Sequence, residues 1–240
     1  MLELSTLNRI LVVAAHPDDE LLGLGATLHK IKQKSNCLIR VVILSEGITS
    51  RSNKGETIEN EKKLFKHKNN IIDAKKILGY DSVVTYKYPD NQFDTIPLLS
   101  IIKTIEKEKM NFYPDIVLTH HNGDLNIDHQ ITFQSVSTAF RSLPGENFKG
   151  IITFETPSGT EWITSNDPRK FNPNIFIELK ESEIDKKIEA MECYQFEKRI
   201  FPHPRSPKAL KNRAIMWGVS VGVNYAEAFQ LIKLIIRDEN

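Results

Sequence analysis

The apolar run Ile10-Leu11-Val12-Val13-Ala14, with the turn behind it, constrains the fold of this chain more than any other stretch. An uncharged run of small and β-branched residues reads as a strand buried on both faces, which calls for a parallel sheet covered by helices on each side. Pro17 cannot extend a central strand, so the chain leaves the sheet there. The exit turn, Ala15-His16-Pro17-Asp18-Asp19-Glu20, carries one imidazole and three carboxylates, and Leu21 to Leu28 lead into a helix. Open α/β sheets bind their ligands at this position, past the carboxyl end of a strand. Adjacent carboxylates beside a histidine repel one another at neutral pH unless a cation or a proton holds them. The turn therefore points first to a metal.

The pattern that follows predicts strands at residues 9–15, 38–44, 82–86, 115–119, 151–156 and 174–178. Between and after them it predicts helices at 20–34, 57–78, 97–109, 128–141, 182–195, 207–217 and 224–237. Strands alternating with helices through the first 140 residues predict an α/β fold with a mostly parallel, doubly wound sheet. The 240 residues show no break in composition, so one domain is expected, with the part from about residue 145 shaping a substrate pocket. A net charge of +1 without long charged blocks argues against nucleic acid or an anionic membrane as partner. No apolar run approaches the length that spans a bilayer. Cleaving the amino terminus as a signal peptide would delete the first strand, so a cytoplasmic location is expected. Cys37 and Cys193 read as separate buried thiols, and His29 and His67 as residues on solvated helix faces. Gly23 and Gly25 do not make a dinucleotide fingerprint, because the acidic turn before them would repel a pyrophosphate.

A second polar loop, His120-His121-Asn122-Gly123-Asp124, follows the predicted strand at 115–119. In a doubly wound sheet this loop and the His16 turn meet where the strand order reverses. His16, Asp19 and a histidine from the 120–129 segment would then form a site of two nitrogens and one oxygen, the donor set of many catalytic zinc centres. A metal brings the pKa of water toward neutrality, and a carboxylate not bound to it can take the proton. Asp18 is placed for that role. Asp128 reads as a helix cap that also orients His129, and Glu20 as a first-turn acid or a support for a ligand.

Ala15-His16-Pro17-Asp18-Asp19-Glu20 resembles the leading motif of the PIG-L/LmbE-like family of zinc-dependent N-acetylglucosaminyl deacetylases. Asp124-Leu125-Asn126-Ile127-Asp128-His129 is similar to the family's second motif, which ends in an Asp-His pair. Softer likenesses are Gly25-Ala26-Thr27, the segment from Ala74 to Gly79, and the Pro89-Asp90 loop. The resemblance implies a Rossmann-like αβα sandwich, a metal held by His16, Asp19 and His129, and Asp18 as general base. One departure stands out. Many relatives carry a histidine where this chain has Asn126, three residues before the last ligand. Either Asn126 donates to the oxyanion as a neutral group, or another histidine supplies the acid, with His203 of the Phe201-Pro202-His203-Pro204-Arg205 loop as candidate.

The expected activity is removal of an N-acyl group, acetyl above all, from an amino sugar or its conjugate. Arg51, Asp90, Asn91, Gln92, Asp94 and Arg205 are loop groups suited to a hydroxyl-rich ligand, and His120, His121 and Asp124 are further candidates to line its pocket. Tyr225 and Glu227 could reach it from the last predicted helix. Zinc and ferrous iron both suit such ligands. Competing readings are a deacylase of another amide, such as a glycosylated natural product or a thiol conjugate, and a non-catalytic sugar- or nucleotide-binding protein. A homo-oligomer is left open.

Overall fold

Strands β1 (Arg9–Ala14) and β4 (Ile116–His120) lie side by side in a seven-stranded sheet of order β3-β2-β1-β4-β5-β7-β6. The computed structural model describes residues 7–45, 47, 57–164 and 166–237, without the side chains of 57–64. The other strands are β2 (Leu38–Ser45), β3 (Ser82–Tyr88), β5 (Gly150–Phe154), β6 (Ile175–Leu179) and β7 (Tyr225–Leu234). Strands β1 to β5 pair in parallel, whereas β7 runs antiparallel to both β5 and β6. The chain builds outward from β1 through β2 to β3, then returns to the other side of β1 for β4. That reversal opens a crevice above the carboxyl ends of β1 and β4.

Two-residue periodicity explains the layers. Ile10 and Val12 of β1 join one core with α1 (Asp19–Lys34), α2 (Thr57–Leu78) and α5 (Glu181–Cys193). Leu11 and Val13 point the other way, into a second core with α3 (Leu98–Phe112) and α4 (Ile127–Ala139). The αβα sandwich is therefore as expected from a strand apolar on both faces. Gly23 owes its identity to packing: a Cβ there would stand 2.3 Å from the Phe154 ring. Cys37 is buried, Cys193 is half-buried, and neither forms a disulfide.

Two expectations fail here. Residues 225–234 form strand β7 rather than a helix. Tyr-Ala-Glu-Ala-Phe suits a helix by propensity, but ladders to β5 on one side and β6 on the other override that preference. His67 is buried, its ring 5.8 Å from that of Tyr194, because α5 packs across α2 and covers a face that looked solvent-exposed.

Glu227 of β7 does not line a pocket either. It enters the core, where α1 breaks at Leu24 (φ −146°, ψ 17°) and leaves backbone donors unpaired. The Glu227 carboxylate accepts from Ala26 N at 3.3 Å and Thr27 N at 2.8 Å, and Lys187 Nζ lies 2.6 Å away. Both side chains are almost fully buried, so Lys187→Met leaves a carboxylate without its cation and should cost about 3–5 kcal/mol. A chain of this size should then melt lower by on the order of 10 °C. An unchanged midpoint in a calorimetric scan would show that the pair contributes nothing.

Candidate active site

The crevice brings three lone-pair donors to one point. His16 Nδ1 and His129 Nε2 are 3.2 Å apart, and each lies 3.3 Å from Asp19 Oδ2. Three such donors in van der Waals contact repel unless something positive sits among them. The edges of a tetrahedron built on bonds of about 2.0–2.1 Å measure about 3.3 Å, so the triangle suits zinc or an ion of like size. His16, Asp19 and His129 could thus hold a metal.

The opposite nitrogen of each imidazole meets a carboxylate. Asp128 Oδ2 lies 3.0 Å and Asp90 Oδ1 3.2 Å from His16 Nε2, while Asp124 Oδ1 lies 3.1 Å from His129 Nδ1. Such partners would favour the tautomer that turns a lone pair toward a bound metal. The geometry corrects two expectations. Asn126, not Asp128, caps α4, accepting from Asp128 N at 2.8 Å. Asp128 supports His16 rather than His129, because neighbouring residues on a helix diverge by about 100°. Asp124 reaches back from the loop instead, held by Asn126 N at 2.8 Å and by the Thr160 hydroxyl at 2.7 Å. Burial alone would lower both imidazoles, but the surrounding carboxylates outweigh it and raise His16 to about 10 and His129 to about 9. Asp19 is held well below the carboxylate range: burial acts upward, and the positive charge of His129 leads the effects that outweigh it. Neutralising Asp124 as Asn should weaken metal binding by about 10–100-fold, read by competition with a chelator. Unchanged affinity would deny it that supporting role.

His120 sits behind the triangle, fully buried and stacked on His129 with ring centroids 3.9 Å apart. Its Nε2 accepts from Ala15 N at 2.9 Å, so that lone pair is engaged by backbone, while Nδ1 meets the Thr156 hydroxyl at 3.0 Å. Burial and the neighbouring His129 lower its pKa to about 4, which keeps it neutral. His121 is also buried and donates through Nε2 to Arg169 O at 2.6 Å. Neither imidazole joins the triangle.

Asp18 starts α1 with φ 93°, ψ −24°, a left-handed backbone that a non-glycine residue holds only when its surroundings impose it. Glu20 supplies part of that constraint, its Oε2 accepting from Asp18 N at 3.1 Å and its Oε1 from the Tyr194 hydroxyl at 2.9 Å. Burial raises Glu20 to about 7 even though the Tyr194 bond opposes it. Glu20 thus braces Asp18, and it is also an acid of the first turn of α1, the first of the two roles expected of it. The Asp18 carboxylate accepts from Arg205 Nη1 at 2.8 Å. Arg205 is anchored in turn by Glu197 at 3.2 Å and the Ser158 hydroxyl at 2.6 Å. Burial pushes the Asp18 carboxyl well above its usual range, with Arg205 acting against it.

The remaining candidates are dispersed. His203 packs its ring against Trp162 and accepts from Arg205 N through Nδ1 at 3.2 Å. Burial and the charge of Arg205 lower its pKa, which makes it a poor proton donor at neutral pH. Asp94 is exposed on the 3-10 turn Phe93–Thr95, and Arg51 lies outside the described residues. Glu197 and Tyr194, which brace Asp18 through Arg205 and Glu20, escaped sequence reasoning because nothing in their local pattern marks them.

Residues 11–140, more than half of the chain, match the PIG-L family described as GlcNAc-PI de-N-acetylase. The chain belongs to this family. The uncharacterized deacetylase YaiS of Escherichia coli (strain K12) is 29% identical over 199 residues, 80% of this chain and 95% of its own length. Among solved structures, the N,N'-diacetylchitobiose deacetylase of Pyrococcus horikoshii has a TM-score of 0.74 at 17% identity, over 95% of this chain and 85% of that one. GalB, the 4-carboxy-2-hydroxymuconate hydratase of Pseudomonas putida KT2440, has a TM-score of 0.70 at 21% identity, over 97% and 99%. At these identities the structural likeness establishes the fold alone, and a deacetylase and a hydratase share it. The PIG-L match ends before β5, so the loop that supplies Arg205 and the helix that follows it lie beyond the matched region. Among the described residues no helix is long and apolar enough to cross a membrane.

Proposed function

We propose that this chain is a metal-dependent N-deacetylase acting on an amino sugar or its conjugate. The observation that carries the reading is the convergence of His16, Asp19 and His129 beside a buried carboxyl, Asp18, that they leave unligated. Zinc, or ferrous iron, is the ion we assign to the three ligands. Such an ion supplies Lewis acidity, polarising an amide carbonyl and easing the ionisation of water.

The rest falls to the side chains. Asp18 takes the proton of the attacking water, and its raised pKa suits it to hand that proton on to the departing amine. Arg205 and the Glu20 bond to the Asp18 backbone fix where that carboxylate points. Asn126 has its carbonyl tied to Asp128 N and one amide hydrogen on Asn91 Oδ1 at 2.9 Å. Its other amide hydrogen is the neutral donor we assign to the oxyanion. His203 takes no part in this scheme.

The deciding experiment is release of acetate from N-acetylglucosamine and N,N'-diacetylchitobiose by the zinc-loaded chain and by the same protein after chelation. Release that requires metal is expected. A metal-loaded chain that frees no acetate from any N-acetylated amino sugar would remove the deacetylase reading and leave the hydratase-like use of the fold as its rival.

A further inference from the structure

Helix α1 packs on β1 at one flank and on β6 and β7 at the other, and it bridges over β4 and β5 between them. The bridge leaves a cavity of about 330 Å³ on the face of the sheet opposite α4. Leu118 and Ile152 form its floor, Leu24 and Leu28 its roof. Solvent reaches that floor: Leu118 is 7% and Ile152 6% exposed in the middle of the sheet, whereas Val117 and Ile151, which face the second core, are 0% and 1%. The interior offers few hydrogen bonds. Among the described residues that line it, only Thr27, Lys30 and Glu178 have polar side chains, and the Thr27 hydroxyl is buried without a hydrogen-bond partner. Lys30 closes the rim, reaching from α1 to β6 to donate through Nζ to the backbone carbonyl of Glu178. It forms no ion pair among the described residues, and Glu178 meets it through the backbone rather than the carboxylate.

We infer that this cavity is a binding site for a fatty acid of medium chain length, with the alkyl chain between α1 and the sheet and the carboxylate on Lys30. The inference is independent of the deacetylase reading, because neither Asp18 nor any metal-facing residue lines the cavity. An apolar lining selects a saturated chain, since a hydroxyl-rich ligand would leave its polar groups unpaired there. Engineered apolar cavities of ~150 Å³ stay dry and admit benzene, so about twice that volume takes about a dozen carbons. The Lys30 ammonium has three N–H donors and uses one on Glu178, which leaves two for a carboxylate. Its methylene stem covers apolar surface while the charge stays at the half-buried rim, where an acidic head group would remain in water.

The test is calorimetric titration of the full chain with saturated fatty acids of about 8 to 14 carbons, kept below their micellar range. Affinity is expected to rise about fourfold with each methylene taken out of water and to level off at about 12 carbons, where the cavity is full. No binding, or an affinity still rising at the longest chain as on an open surface, would overturn the site. Lys30→Met should weaken decanoate about tenfold and leave decan-1-ol unchanged, and equal effects on both would remove the carboxylate from the assignment. Ile152→Phe fills the cavity from its floor, and Ile175→Trp fills it from the edge strand β6 with less demand on folding. Each folded variant should bind dodecanoate at least about tenfold more weakly, and native affinity in Ile175→Trp would place the ligand elsewhere. The rival occupant is the chain's own segment 1–6, which precedes Leu7 in the cavity wall. Dodecanoate that bound only after Leu4→Asp would give the cavity to that segment and end the proposal.

Discussion

Asp18→Asn is expected to keep a full complement of metal and lose about 10²–10⁴ in kcat, the range over which a positioned general base acts. Asparagine preserves the shape that accepts from Arg205 but cannot take a proton from water. None of the three metal-facing atoms belongs to residue 18, so the ligand set is untouched. The asparagine also tolerates the left-handed backbone at this position better than most residues, which limits any loss of stability. Metal analysis and steady-state rates on the same preparation separate the two effects. Wild-type turnover from this variant would end the assignment of Asp18 as base, and loss of metal would mean that Asp18 belongs to the ligand set.

His129→Ala is expected to do the reverse, losing the metal first and turnover with it. It removes one of three donors, and the residue that neighbours it offers no replacement: His120 stacks on the vacated position with Nε2 already accepting from Ala15 N. Binding should weaken by more than the ~10–100-fold expected from Asp124→Asn, which only removes the charge behind the same imidazole. The two variants thus form a graded pair measured by one chelator competition. If His129→Ala bound metal as tightly as the native chain, the ion would have to sit elsewhere, with the His16, Asp90 and Asp128 group as the alternative among the described residues.

Much of this centre was legible before any coordinates. A doubly apolar strand broken by Pro17 announces a sheet covered on both sides and a loop at its active end. Two histidine-bearing loops behind strands of one doubly wound sheet are then obliged to meet. Charge crowding in Asp18-Asp19-Glu20 has no explanation in packing, which is why it stood out. The supporting shell was not legible. Glu20, Tyr194, Arg205, Glu197 and Ser158 lie as far as 187 positions along the chain from Asp18, the distance to Arg205, and no periodic pattern connects them.

The sequence by itself determined the local chemistry: where strands stop, which turn crowds acids beside an imidazole, and which pair of motifs belongs to one family. Only the tertiary structure decided how that chemistry is held. It made 225–234 a strand, because ladder bonds on two sides outweigh an alanine-rich helical preference. It gave Asp128 to His16 and Asp124 to His129, because the direction of a side chain follows from the helix and loop that carry it. It carried α1 over β4 and β5 and left an apolar cavity rimmed by Lys30, although that lysine, taken alone, is an ordinary residue. Local order along a chain is written in propensity and period, whereas convergence in space depends on how elements pack, and packing is a property of the whole fold.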